Sequence, residues 1–163
     1  MKNDAAIYIT SHPESSAAIA RHLGICAPMV RPTMGRLGCR LLPGGRYDLS
    51  DLWRRMWGID RVPRARVECM ERPLLSIDAV ADMVGVHPAT IRRAGNSRSP
   101  KWRLPDHCDL GDRTRRYLPL HIEAWLRGEA PEEWLKRRHG PVGPLGLRLK
   151  GAGNSQFGGA MPN

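Results

Sequence analysis

The chain has 163 residues, enough for one ordinary domain or two small ones, and its 41% of apolar residues suffices for real cores. Its 26 Lys and Arg face 16 Asp and Glu, a net charge of +10 carried mostly by arginine, which points to a polyanionic partner. No apolar run reaches the roughly 18 residues of a membrane span, no apolar h-region follows Met1, and Cys26, Cys39, Cys69 and Cys108 form no close pair, so membrane, secreted disulfide-framework and CxxC zinc-knuckle classes are not expected. The expectation is a cytoplasmic, nucleoid-associated protein with reduced thiols.

In chain order, residues 6–10 (Ala-Ile-Tyr-Ile-Thr) read as a short strand. From Ser15 a pattern begins that returns in clearer form at Ser76. There, Ser76 is an N-cap, Ile77, Val80, Met83 and Val84 fall at the spacing of one helical face, and Gly85 stops the helix as a left-handed cap. Pro88 then opens a second short helix over residues 88–94. A shift of 61 residues gives the first copy: Ser15 for Ser76, Ile19 for Val80, Ala20 for Ala81, Leu23 for Val84, Gly24 for Gly85, Val30 for Ile91 and Arg31 for Arg92. The match resumes at a shift of 70, with Arg46-Tyr47 for Arg116-Tyr117, Leu52 for Ile122, Met56 for Leu126 and Gly58 for Gly128. The second copy has therefore gained nine residues in the loop between.

Each copy reads as helix, Gly turn, short helix, loop ending in Arg-Tyr, helix. This gives a mainly α fold with short β-wings: two tandem winged helix-turn-helix domains over residues 1–60 and 73–138. A Pro- and Arg-rich linker joins them over 61–72, and a Gly- and Pro-rich flexible tail follows over 139–163. The charge divides as +5 over residues 1–69, +3 over 70–138 and +2 over 139–163, so no single basic tail supplies the excess.

Two short helices joined by a Gly-led turn on a basic background are the signature of a helix-turn-helix, whose second helix fits the major groove. In the second copy that helix offers His87, Thr90, Arg92, Arg93 and Asn96, and in the first Met29, Arg31, Thr33 and Arg36. Arg can donate two bonds to guanine and Asn can pair bidentately with adenine, so Arg92, Arg93, Asn96 and Thr90, with Arg31 and Arg36, are the candidate base readers. Pro28 and Pro32 predict a less regular reading helix in the first copy.

Residues 101–104 and 113–118 read as two strands of a basic hairpin joined through Pro105 and Gly111-Asp112. Residues 40–47 give a shorter equivalent turning at Pro43-Gly44-Gly45. Arg46, Lys101, Arg103, Arg113, Arg115 and Arg116 are the candidate contacts to the DNA backbone or minor groove.

The runs 74–81 (Leu-Leu-Ser-Ile-Asp-Ala-Val-Ala), 85–93 (Gly-Val-His-Pro-Ala-Thr-Ile-Arg-Arg), 115–117 (Arg-Arg-Tyr) and 121–126 (His-Ile-Glu-Ala-Trp-Leu) resemble the winged helix-turn-helix of AlpA-type phage regulators and excisionases, related to the MerR DNA-binding domain. The resemblance spans about 55 residues and, through the repeat, about 45 more. It implies double-stranded DNA as partner, with the second helix in the major groove and the wing on the flanking backbone. The sequence departs from the family in a longer wing holding Asp106, Asp109 and Asp112, and in carrying two such domains.

Three roles stay open: a transcription regulator meeting RNA polymerase or a second regulator, an excisionase that bends attachment-site DNA beside a recombinase, and a protein-binding adaptor that keeps the fold without the DNA. No nucleophile elbow or other catalytic motif is present, so no enzyme activity is expected. Neither His107-Cys108 nor His22 with Cys26 belongs to a four-ligand set at zinc spacing, so no metal and no cofactor are expected. Trp53, Trp57, Trp125 and Trp134 read as packing residues, and Tyr47 and Tyr117 as anchors of the wings. Glu132 with Lys136 reads as a solvated i,i+4 pair.

Overall fold

The computed structural model describes residues 7–96, 104–111 and 114–136. They form helices interleaved with small antiparallel sheets, in two compact units. One holds the described residues up to Arg72 together with 132–136, the other those from Pro73 to Pro131.

The first unit runs β1 (Tyr8–Ile9), β2 (Pro13–Ser15), α1 (Ser16–Leu23), α2 (Ala27–Arg36), β3 (Leu41–Leu42), β4 (Arg46–Asp48), α3 (Leu49–Trp57), β5 (Val62–Pro63), a 3-10 turn (Arg64–Arg66) and α4 (Val67–Glu71). The second runs α5 (Ile77–Val84), α6 (Pro88–Asn96), β6 (His107–Asp109), β7 (Arg115–Tyr117) and α7 (Pro119–Leu126).

Local chemistry sets the helix ends in the same way in both units. The Ser15 hydroxyl accepts from the Ala18 N–H at 3.2 Å, and that of Ser76 from Ala79 at 3.1 Å, satisfying a donor that the first helical turn cannot. Gly24 (φ 62°) and Gly85 (φ 74°) end α1 and α5 in the left-handed region. The chain then folds back, so that Ile25 N–H reaches the Ala20 carbonyl at 3.1 Å and Val86 N–H the Ala81 carbonyl at 3.0 Å. In this way α1 and α5, each too short to be stable alone, are closed off by the turn that leads into the next helix.

The sheets repeat the same register. Tyr47 on β4 lies between Glu14 of β2 and Leu41 of β3. Tyr117 on β7 lies between Leu75 and His107 of β6. Glu14 and Leu75 are 61 positions apart, and Tyr47 and Tyr117 are 70 apart, so the two offsets seen in the sequence meet in one strand pairing. Around that tyrosine each unit closes an equivalent core. Val80, Ala81, Ile91, Tyr117 and Ile122 cluster in the second unit, and their counterparts Ile19, Ala20, Val30, Tyr47 and Leu52 are all buried in the first. The first unit extends its core with Leu23, Met34, Trp53, Met56 and Met70.

Several expectations are corrected. Residues 61–72 are no linker: β5 pairs antiparallel with β1, Val62 and Met70 are buried, and α4 ends against His22, so the stretch completes the first unit. Residues 132–136, expected in the second domain, join the first unit, because Leu135 is buried there and Glu132 pairs with Arg66 at 2.9 Å. Lys136 accordingly pairs with Glu133 at 2.6 Å and not with Glu132. The first strand of the long hairpin is His107–Asp109, where pairing Asp109 with Arg115 and His107 with Tyr117 sets the register, and Leu104 lies outside it. Helix α2 runs unbroken through Pro32. Pro28 sits in the first turn, where its missing N–H is harmless, and burial of Val30, Thr33 and Met34 outweighs the one interior bond that Pro32 removes.

Candidate functional site

The second helix of each unit buries one residue pair-wise equivalent to the other, Val30 in α2 and Ile91 in α6, and so turns its neighbours outward. Arg92 and Arg93 are exposed on α6, and Thr90, half-buried, lies one turn earlier with its N–H on the His87 carbonyl at 2.8 Å. Asn96 is the last residue of α6. On α2, Arg31 and Arg36 are exposed together with Met29, whereas Thr33 is buried and its hydroxyl accepts from Arg36 Nη2 at 3.3 Å. Thr33 therefore does not share the outward face expected for it.

His87 also has a different place from the one its sequence position suggests. Its Nδ1 accepts from the Ala89 N–H at 3.2 Å, so the ring caps the start of α6. The equivalent position in the first unit, Cys26, makes no side-chain cap bond.

An acidic neighbour distinguishes the two helices. Asp78, in the first turn of α5, lies 3.8 Å from Arg92 Nη2, with both side chains largely exposed. Shifted by 61, the position of Asp78 becomes Ala17 and that of Arg92 becomes Arg31, so Asp78 has no acidic counterpart at the matching position of α1.

In the first hairpin, Pro43 and Gly44 form the corner. Gly45 N–H closes it onto the Leu42 carbonyl at 3.2 Å, and Gly44 (φ 78°) takes the left-handed position that a type II turn demands. Arg46 is exposed beside this corner. In the second hairpin Arg115 and Arg116 diverge. The Arg115 side chain is only 12% exposed and its Nε lies 3.5 Å from Asp109 Oδ1, which ties it to the neighbouring strand. Arg116 is half-buried, with Nη1 donating to the Arg115 carbonyl at 3.1 Å, and burial draws its guanidinium below the usual arginine value. Lys101, Arg103 and Arg113 lie outside the described residues.

Aromatic residues serve packing in both units, with Tyr8 exposed. Trp53 and Trp57 are buried, Trp125 and Trp134 partly so, and Tyr47 and Tyr117 sit at the centre of their sheets. Among the described residues, one group could hold a metal: His12, Glu14 and Glu71, whose ligand atoms all lie within 4.8 Å of one another. Spacing rules miss it because two of its members come from opposite ends of the first unit. Neither His107-Cys108 nor His22-Cys26 forms such a group among the described residues.

Comparison with protein-family models, with curated proteins and with solved structures finds no match. No helix of the described residues is long and apolar enough to cross a membrane.

Proposed function

We propose that the chain is a sequence-specific double-stranded DNA-binding protein built from two winged helix-turn-helix units, similar in plan to the AlpA-type regulators and excisionases, and that it regulates transcription. The observation that carries this reading is the pairing, on one repeated scaffold, of exposed arginines on the second helix with an arginine-bearing hairpin, in a chain of net charge +10. Helices α6 and α2 have the width and the outward cations to enter the major groove, and the hairpins are the wings.

In this reading Arg92, Arg93, Thr90 and Asn96 read bases for the second unit, and Arg31 and Arg36 do so for the first. Arg46 and Arg116 hold phosphates, together with Lys101, Arg103 and Arg113. Arg115 belongs to the hairpin's internal structure and not to the DNA, since its charge is turned toward Asp109. Four residues are assigned as readers in the second unit and two in the first, so the site the first unit reads is the less specific half.

Gel-shift titration against random-sequence competitor tests the proposal. Arg92→Ala is expected to cost about 1–3 kcal/mol and to relax the preference at one base position. Arg116→Ala is expected to weaken binding to every sequence and to lower the salt slope by about one. Equal losses on specific and random DNA for both variants would reject the assignment of roles, and no binding to duplex DNA at low salt would reject the function. Occupancy mapping then separates regulation, with peaks at promoters, from recombination, with a peak at an attachment site.

A further inference from the structure

The first unit gathers three metal-ligating groups from stretches that only its tertiary fold brings together. His12 lies in the loop before β2, Glu14 on β2 itself, and Glu71 at the end of α4. Glu71 Oε1 is in direct contact with His12 Nε2, and Glu14 Oε1 lies 3.5 Å from the same nitrogen. Two ligands of one tetrahedral zinc ion, each about 2.1 Å from it, stand roughly 3.4 Å apart. The His12–Glu14 separation of 3.5 Å is close to that value, the His12–Glu71 contact is shorter and opens to admit the ion, and all three ligand atoms lie within 4.8 Å of one another.

Each ligand is also held by a group outside the triad. The His12 N–H donates to Asp48 Oδ1 at 2.8 Å, and its ring lies parallel to the buried Trp53 with centroids 6.2 Å apart. Glu14 is fixed by its strand pairing with Tyr47. The end of α4 is fixed by the buried His22, whose Nδ1–H donates to the Glu71 and Arg72 carbonyls at 3.3 and 2.9 Å. The backbone positions are thus set before any ion arrives, while the side chains, 26–38% exposed, leave an entry path and room for water on the open side.

From this geometry we infer that His12, Glu14 and Glu71 form a binding site for a divalent transition-metal ion, zinc in the first instance. One imidazole nitrogen with two carboxylates is a borderline donor set, suited to zinc, cobalt or nickel and poorly suited to the all-oxygen preference of magnesium or calcium. Three protein ligands leave a fourth position for water. An ion there would cross-link β2 to α4 across 59 residues of chain. The inference stands apart from the DNA-binding reading, because the triad contains none of the residues assigned to DNA.

The test uses the full chain with zinc and, for spectroscopy, cobalt. Calorimetric titration is expected to give one zinc site that is weakened at least about tenfold in His12→Ala and in Glu71→Gln, and thermal unfolding is expected to shift upward with zinc in the unaltered chain alone. Cobalt should give visible bands of four-coordinate nitrogen–oxygen ligation without the near-ultraviolet charge transfer of a thiolate. Glu14→Gln, which keeps the side chain's size, provides a third variant, and circular dichroism without metal confirms that all three fold. Zinc binding of equal strength in the three variants, a thiolate band, or no binding by the unaltered chain would overturn the inference.

Discussion

His22 shows how one polar side chain can be built into an apolar core. It is 2% exposed, yet both ring nitrogens are used: Nδ1–H donates to the carbonyls that end α4, and Nε2 accepts from Trp53 Nε1–H at 3.2 Å. Only the neutral ring can satisfy both, since protonated Nε2 would face another donor. Burial accordingly holds its pKa below the ordinary 6.5, against the smaller opposing pull of the two carbonyls. The unfolded chain therefore takes up a proton below about pH 6.5 that the folded chain refuses, so this group leaves stability unchanged above that pH and reduces it as pH falls further. Urea unfolding from pH 8 to 5 should show the decline, and His22→Leu should flatten this contribution while costing about 3 kcal/mol from the polar groups it orphans. Cysteine chemistry divides on the same principle. Burial, with the negative charge of Asp51 second, pushes the Cys39 thiol up to about 12, whereas Cys26 is exposed. Mass spectrometry after brief alkylation at pH 8 should find Cys26 modified and Cys39 untouched until the first unit unfolds.

At the scale of single elements, the same substitution should have opposite signs at two glycines. Neither Gly85 nor Gly35 has an atom within 4 Å of where a Cβ would stand. Gly85 ends α5 at φ 74°, so Gly85→Ala should cost about 1–2 kcal/mol through the backbone alone. Gly35 is inside α2 with no such conformation, and Gly35→Ala should stabilise by about 0.5–1 kcal/mol. Thermal unfolding of both variants checks the pair. Asp78 offers an element-level test of the DNA reading. Removing an acid beside the proposed reading arginine should strengthen binding to all duplexes modestly, so Asp78→Asn should raise affinity on random and specific DNA alike, while Ala17→Asp in the first unit should lower it. The caps and the Gly stops were legible in the sequence because each is decided within three or four residues. The hairpin of the second unit was not, because its register depends on which residue faces Tyr117, and that choice is made jointly by Leu75 and by the charge pair of Asp109 with Arg115.

At the scale of the whole molecule, the division into units departs from the order of the chain. Residues 132–136 follow the second unit in sequence but belong to the first, where Leu135 is buried and Glu132 meets Arg66. Leu135→Ala should therefore weaken the first unit, although residue 135 follows the second unit in sequence. Hydrogen exchange should show α1 and α3 losing about 2 kcal/mol of protection while α5 and α7 keep theirs, and equal loss in both would contradict the assignment. The sequence by itself determined the repeat, its two offsets and the helices that carry outward arginines, because periodicity, N-caps and glycine stops are local physics. Only the tertiary structure decided that Arg115 turns inward, that residues 61–72 are part of a core and that His12 meets Glu71, because each depends on what packs opposite a residue after the chain has closed on itself.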